Sequence, residues 1–142
     1  MRIALLADIH SNLLALEAVV QDLRQQAPDG VYLLGDQLNR CPWPNQVMDL
    51  IAAEAWPAIQ GNHDLVVGQI RTVENSPPFT DQSRYPCLWW TNEVLKPEHM
   101  ATLRSWPADF ELALADAPPL RFFHGAPGNP FWGIFEGLAA ER

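Results

Sequence analysis

The sequence has few cysteines and no long apolar run. Its 142 residues include only two cysteines, Cys41 and Cys87, which are too few for a disulfide framework and are not spaced as a thiolate metal site. No apolar stretch approaches the roughly 20 residues that a membrane-spanning helix needs, and Asp8 interrupts the short apolar run near the amino terminus. The sequence therefore predicts a reduced, cytoplasmic protein with no membrane segment and no signal peptide.

Net positive charge and several common enzyme motifs are also missing. The formal net charge is −8 at pH 7, whereas surfaces that bind nucleic acids through their phosphates are basic, so nucleic acid is not expected as a general surface partner. No Gly-x-Gly-x-x-Gly follows a predicted strand and no Walker loop occurs, which argues against a nucleotide-cofactor enzyme. No serine or cysteine nucleophile motif is present either. A small phosphate substrate is compatible with the acidic composition, because divalent ions in a cleft reverse the local sign of the charge.

What the sequence does contain is an alternation of strand and helix patterns. A chain of this length with 48% hydrophobic residues predicts a single domain, residues 1–142. Three short apolar runs are typical of buried strands, at residues 2–7, 31–34 and 56–59. Ser11 or Asn12 is expected to cap a helix between the first two runs, and Pro44 suits the first position of a second helix. This order predicts an α/β fold with a parallel βαβαβ sheet, whose strands all end at one edge.

The second half of the chain has a less regular pattern. Prolines and aromatic residues between positions 65 and 106 predict a helical excursion over one face of the sheet, with one helix beginning at Pro97. Residues 110–114 and 120–123 then look like two antiparallel strands.

Three residue groups in or near the excursion are predicted to be structural. The Trp89-Trp90 pair is expected to pack in the core beneath the excursion. His99 is predicted to lie on an exposed helix face, and Cys41 is interpreted as a small buried thiol.

Polar side chains follow each predicted strand at the point where it ends. They are Asp8 and His10 after the first strand, Asp36 after the second, Asn62, His63 and Asp64 after the third, and His124 after the last. Because parallel strands end at a common edge, which is where such sheets bind ligands, these side chains are expected to meet. Asp8 and His10, two apart in a segment read as extended, should project to the same side. Carboxylate oxygens, imidazole nitrogens and an amide oxygen predict a site for manganese, iron, cobalt, nickel or zinc.

The residues of this cluster are expected to have different roles. Asp36 has two carboxylate oxygens and can bridge two ions about 3.5–4 Å apart, which would bind a phosphate, generate a hydroxide nucleophile and offset charge on the leaving oxygen. His63 and Asp64 are expected to have a different role, because adjacent side chains on a turn seldom bind the same ion. We predict that His63 is a general acid, and that Asp64 orients its imidazole and raises its pKa.

These residues resemble the motifs of the calcineurin-like metallophosphoesterases. The matching motifs are Asp8-x-His10, Gly35-Asp36, Gly61-Asn62-His63-Asp64 and the later His124. The resemblance covers essentially the whole chain, since Pro42, Pro44, Trp89-Trp90-Thr91 and the HGAP segment at His124 are similar to the small bacterial phosphodiesterase-like branch. It implies that Asp8, His10 and Asp36 bind one ion, that Asp36, Asn62 and His124 bind the other, and that His63 faces the phosphate.

The resemblance also implies a substrate contact and a fold. Arg40 stands where the protein-phosphatase branch has an arginine that binds phosphate, a role that suits a guanidinium fork, and Asn39 stands where that branch has aspartate. The fold implied is the N-terminal part of a four-layer αββα sandwich.

One family motif is missing from the sequence. The family pattern closes with Gly-His-x-His, which the 142 residues do not contain, so each ion would lack one imidazole. We therefore expect an incomplete domain in which the ending GLAAER is a shortened helix, and self-association that buries the uncovered sheet face. Two functions remain open. One is metal-dependent hydrolysis of a phosphate ester, by preference a phosphodiester, by di-metal-activated water. The other is a catalytically impaired remnant that acts as a metal-binding or protein-interaction domain.

Overall fold

The computed structural model describes residues 1–115 and 117–134, and its elements follow the predicted alternation. The first half contains strands β1 (Ile3–Leu6), β2 (Gly30–Leu34) and β3 (Ala58–Ile59), with helices α1 (Leu13–Gln26) and α2 (Pro44–Glu54) between them. Helices α3 (Asn62–Gln69), α4 (Pro86–Val94) and α5 (Pro97–Ser105) follow, and then strands β4 (Asp109–Leu112) and β5 (Leu120–Phe123). The α/β class and the helical excursion are confirmed. The GLAAER segment lies outside the described residues.

The three strands of the first half form one parallel sheet. Their order is β1-β2-β3, with Leu6 opposite Leu33 and Leu34 opposite Ile59. The loops that leave β1, β2 and β3 therefore all start at the same edge, as predicted. Strands β4 and β5 pair antiparallel in a separate two-stranded sheet.

The predicted helix starts are also confirmed. The Asn12 side chain caps α1, because its Oδ1 accepts a hydrogen bond from the backbone N–H of Ala15 at 3.2 Å. Pro44 is the first residue of α2 and Pro97 is the first residue of α5, where the missing proline N–H leaves no helical hydrogen bond unmade.

The two faces of the parallel sheet are covered differently. On one face, Leu33 is fully buried in a core that includes Leu16 and Val20 of α1 and Val47 of α2. On the other face, the ring of Tyr32 stacks on Phe122, with the ring centroids 5.4 Å apart. Leu5 is the register partner of Tyr32 on this second face, and it is 49% exposed. The second face is thus covered at β2 and open at β1.

Two predictions about the excursion need correction. His99 is only 7% exposed, and its Nε2 lies 2.8 Å from Oδ1 of Asp49 in α2. Trp89 packs against the core as predicted and donates its Nε1–H to the Phe79 carbonyl at 3.1 Å, but Trp90 is exposed. Two neighbouring positions on a helix point in different directions, so both tryptophans could not enter the same core.

Cys41 is half-buried, which is less burial than predicted. Among the described residues, no helix is long and apolar enough to cross a membrane.

Candidate metal centre

The loops after β1 and β2 lie side by side at the carboxyl edge of the sheet. The backbone N–H of Asp8 donates to the Gly35 carbonyl at 3.0 Å, and that of His10 donates to the Asp36 carbonyl at 2.9 Å. The Ser11 N–H continues the series by donating to Gln37 at 2.9 Å. Backbone hydrogen bonds therefore fix the distance between the side chains of the two loops.

These two loops concentrate the unusual backbone conformations of the chain. Eight non-glycine residues among those described have a positive φ, and six of them lie in the loops: Asp8, His10, Ser11, Asp36, Asn39 and Arg40. The other two, Ala27 and Ala55, end helices α1 and α2. A left-handed conformation is unfavourable for residues with a side chain, and its clustering is typical of functional sites.

The Asp8-His10 segment is a turn and not the extended segment that was predicted from the sequence. The φ angles of Asp8 and His10 are 56° and 49°, so the segment is not extended. The two side chains nevertheless converge, with His10 Nε2 at 3.6 Å from Asp8 Oδ1. The predicted proximity is correct, but a tight turn produces it.

Two glycines make room for the site side chains. A Cβ atom built on Gly61 would overlap Asp36 Oδ1, although the φ of Gly61, −90°, is open to any residue. A Cβ on Gly35 would lie 2.5 Å from His124 Nδ1, and Gly35 also has a φ of +95°. The glycines of both motifs are therefore required by close approach to the site.

Asp36 lies at the centre of the cluster and is 3% exposed. Its Oδ2 is 3.8 Å from His10 Nε2, the atom that also approaches Asp8. Its Oδ1 is 3.7 Å from His124 Nε2, which in turn lies 3.1 Å from Asn62 Oδ1. The two oxygens of one carboxylate therefore face two separate groups of donor atoms.

The histidines of these two groups are held in the tautomer that suits a metal ligand. His124 Nδ1–H donates to the Leu34 carbonyl at 2.8 Å, and His10 Nδ1 lies 3.3 Å from the Leu38 carbonyl. A carbonyl can only accept, so it places the proton on Nδ1 and leaves the lone pair of Nε2 directed at the centre.

His63 has a different partner. Its Nδ1 lies 2.7 Å from the side-chain amide nitrogen of Asn39, and its Nε2 lies 3.4 Å from Arg40 Nη2. The Asn39 amide nitrogen can only donate, so it donates to the Nδ1 lone pair and leaves the ring proton on Nε2. Asn39 thus fixes the ring. No role was predicted for Asn39 from the sequence, although related proteins have aspartate at this position.

His63 Nε2 also faces the metal centre. It lies 3.9 Å from Asp36 Oδ2, and the imidazole ring of His10 is 5.0 Å away, edge to face. Two sets of side chains can each bring their ligand atoms within 4.8 Å of one another: Asp8, Asp36 and His124, and His10, Asp36 and His63. Asp36 belongs to both sets, as a bridging ligand would.

The role predicted for Asp64 is wrong. Its fully buried carboxylate accepts backbone N–H groups from Gln37 at 3.2 Å, Leu38 at 3.0 Å and Gly61 at 3.1 Å. Asp64 therefore ties the loop after β2 to the start of α3, and Asn39 occupies the position beside the imidazole. Burial lowers the pKa of His63, opposed by the Asp36 carboxylate, so the predicted rise is also not found.

Comparison with known proteins agrees with this geometry. The sequence profile of the calcineurin-like phosphoesterases matches residues 1–127. The chain belongs to the calcineurin-like phosphoesterase family. This match covers every residue of the candidate centre, from Asp8 to His124.

The three similar proteins described next are longer than this member of the calcineurin-like phosphoesterases. An uncharacterised protein of Methanocaldococcus jannaschii is 31% identical over 129 residues, which is 90% of this chain and 51% of the relative. The crystal structure of a metallophosphoesterase from Sphaerobacter thermophilus matches this chain with a TM-score of 0.70 at 29% identity. The match covers 95% of this chain and 51% of the Sphaerobacter chain.

The crystal structure of a hypothetical protein from Pyrococcus horikoshii shares the fold, with a TM-score of 0.73 at 23% identity. The match covers 94% of this chain and 58% of the Pyrococcus chain. The chain thus spans about half the length of the relatives that it matches. Its fold corresponds to the N-terminal part of the metallophosphoesterase fold.

Proposed function

We propose that the chain hydrolyses a phosphate ester, by preference a phosphodiester, with water activated by two divalent ions. The observation that supports this most directly is the Asp36 carboxylate, whose two oxygens face different donor groups. The donor set of carboxylates, imidazoles and an amide oxygen suits manganese, iron, cobalt, nickel or zinc. Bound there, two such ions would lower the pKa of a water molecule and offset charge on the phosphate oxygens.

The distances are compatible with the division of the ligands that the family resemblance implies, although Asp8, Asp36 and His124 also have ligand atoms within 4.8 Å of one another. Asp8, His10 and Asp36 Oδ2 would bind one ion, because His10 Nε2 lies within 4 Å of both carboxylates. Asp36 Oδ1, Asn62 and His124 would bind the other, because His124 Nε2 is near both oxygens.

His63 and Arg40 would act on the substrate. His63 Nε2 is at the border between the ligand cluster and an adjoining cavity, where it could give a proton to the leaving oxygen. Asn39, on the opposite side of the ring, would keep that nitrogen directed at the reaction. Arg40 is exposed beside His63 and would bind a phosphate oxygen with its guanidinium group.

A second candidate function is a metal-binding or protein-interaction domain without turnover. The observation that favours it is the number of ligands, because each ion would have only three protein donors among the described residues. The candidate remains relevant because the chain spans about half of its relatives.

Metal analysis combined with an activity assay separates the two candidates. We expect about two ions per chain after dialysis against manganese, and manganese-dependent hydrolysis of bis(p-nitrophenyl) phosphate. Metal binding without hydrolysis would favour the second candidate. Failure to bind any divalent ion would reject both the hydrolysis and the metal-binding role, and would leave only the protein-interaction role.

We also propose self-association through the open part of the second sheet face. β1 is an edge strand of the described sheet, and Leu5 is exposed there. Light scattering should show a species larger than a monomer, and Leu5→Lys should shift it to the monomer. A wild-type monomer, or an unchanged species in the variant, would contradict this proposal. The cytoplasmic location stays a prediction from the sequence, as does the set of candidate metals: manganese, iron, cobalt, nickel and zinc.

A further inference from the structure

A cavity of about 390 Å³ adjoins the metal centre on the side of His63. We propose that it binds the leaving group of the substrate, and that this leaving group has an aromatic ring and a further anionic group. The proposal rests on the phosphoesterase function and adds to it the class of substrate. The volume is within the range of pockets that bind small organic ligands, about 300–1,000 Å³.

The cavity has an aromatic wall that the metal centre does not need. Phe79, Tyr85 and Phe131 line it, with ring centroids of Phe79 at 5.1 Å from Tyr85 and 6.0 Å from Phe131. Phe131 is 47% exposed although it lies against the ring of Phe79. Exposed rings grouped at a cavity offer a flat apolar surface on which another ring can stack.

The charged side chains that line the cavity in the described part of the chain are basic, although the protein is acidic overall. Arg40 and Arg84 line it, and no aspartate or glutamate is among its lining residues in the described part of the chain. The full sequence has only nine lysines and arginines against 17 acidic residues. Two guanidinium groups without a lining carboxylate therefore make the cavity a local site for anions.

Arg84 is positioned by its own turn. The Asp81 carboxylate accepts the backbone N–H groups of Ser83 and Arg84, at 3.0 and 3.2 Å. The Arg84 guanidinium carbon then lies 5.5 Å from the ring centre of Tyr85. No carboxylate of the described residues forms an ion pair with Arg84, so its hydrogen-bond donors are available to a ligand on that aromatic surface.

His63 relates the cavity to the reaction, because it lines the cavity and also approaches Asp36. In the hydrolysis, a water oxygen would bond to phosphorus and the bond from phosphorus to the leaving oxygen would break. That oxygen would take a proton from His63 Nε2 and leave on the cavity side. The aromatic ring would then stack on the phenylalanine rings, and its second anionic group would bind Arg84.

Isothermal titration calorimetry tests this inference without catalysis. The ligands are adenosine 5′-diphosphate, which has a ring and two phosphates, inorganic pyrophosphate, which has no ring, and adenosine, which has no charge. Each is titrated into metal-free protein. We expect the diphosphate to bind at least about tenfold more tightly than either of the other two.

Matched variants locate the binding. Arg84→Gln should weaken diphosphate binding about tenfold, because a charge-assisted hydrogen bond is lost. Phe131→Ala should have a similar effect and tests the stacking surface. Arg71→Gln is the control, since Arg71 also lies 5.5 Å from an aromatic ring, that of Trp89, but does not line the cavity.

Equal affinities for pyrophosphate and adenosine 5′-diphosphate would overturn the inference, as would equal effects of the Arg84 and Arg71 substitutions. The proposed function can fail while the cavity assignment holds. If Arg84-dependent binding occurs but no phosphate ester is hydrolysed in manganese, the cavity assignment stands and the catalytic one falls.

Discussion

Asp36→Asn is expected to remove both metal ions and to lower phosphodiester turnover by more than about 100-fold. The side-chain amide nitrogen of asparagine cannot bind a metal ion. The substitution therefore leaves one side-chain oxygen at position 36, whereas each of the two ions needs one. Substitution of a residue that only supports a metal ligand lowers metal affinity or activity by about 10–100-fold. Loss of a ligand shared by both ions should therefore exceed that range. The backbone N–H of His63 also donates to Asp36 Oδ1 at 2.9 Å, and an asparagine oxygen can keep this contact. The fold should therefore survive the change.

Metal content and thermal unfolding with and without manganese measure this result independently of turnover. An ion that binds only the folded state raises its stability, so wild-type protein should show a higher Tm in manganese and Asp36→Asn should not. Asp22→Asn removes a carboxylate from the exposed surface of α1 and serves as the matched control. If the Asp36 variant keeps one ion and half of the thermal shift, then Asp36 binds only one ion and the bridging arrangement is wrong.

The sequence predicted those parts of the fold that depend on local signals. Asn12 caps α1 and Pro44 begins α2 because each residue acts within its own turn of helix. The meeting of Asp8, Asp36 and Asn62 was predictable for a different reason. Parallel strands joined by right-handed crossovers have their carboxyl ends at one edge of the sheet. The topology therefore predicts that residues which follow different strands lie close together, although they are distant in sequence.

Side-chain partners from other segments were not predictable in this way. His99 is buried beside Asp49 of α2, and nothing in the sequence around position 99 indicates that neighbour. The motif GNHD likewise suggested an Asp64 that orients His63, since the two are adjacent. In the structure residue 64 is in the first turn of α3 and points under the loop after β2, so the imidazole contacts Asn39 instead.

Asp64→Ala is expected to destabilise the metal-free protein by about 3 kcal/mol or more. The substitution would leave the backbone N–H groups of Gln37, Leu38 and Gly61 without an acceptor in the interior, and each unpaired buried donor costs about 1–3 kcal/mol. Against a total stability of about 5–15 kcal/mol, such a loss would be visible in urea unfolding at any pH. Asp64→Asn retains one acceptor oxygen and should lose less.

The difference in the free energy of unfolding between wild type and Asp64→Asn should depend on pH, and this dependence reports the charge on Asp64. Burial is the largest cause that raises the pKa of Asp64, to about 7 from its ordinary value of 3.8, against the three N–H donors that favour the anion. Between these values the folded state binds one proton more than the unfolded state, so stability falls as pH rises, by up to about 1.4 kcal/mol per pH unit. Asparagine does not titrate. The stability advantage of wild type over Asp64→Asn should therefore be greatest near pH 4, shrink towards pH 7 and level off above it.

Urea unfolding of both proteins at constant ionic strength, in steps from pH 4 to pH 8, measures this difference directly. Other titrating groups largely cancel, because both proteins contain them. A difference that is constant across the series would mean that Asp64 remains an anion, with its three N–H donors outweighing burial. A declining difference would mean that the loop that positions Asp36 is held by a carboxyl group that is protonated below neutral pH. The same residue would then relate the stability of the fold to the geometry of the candidate metal centre.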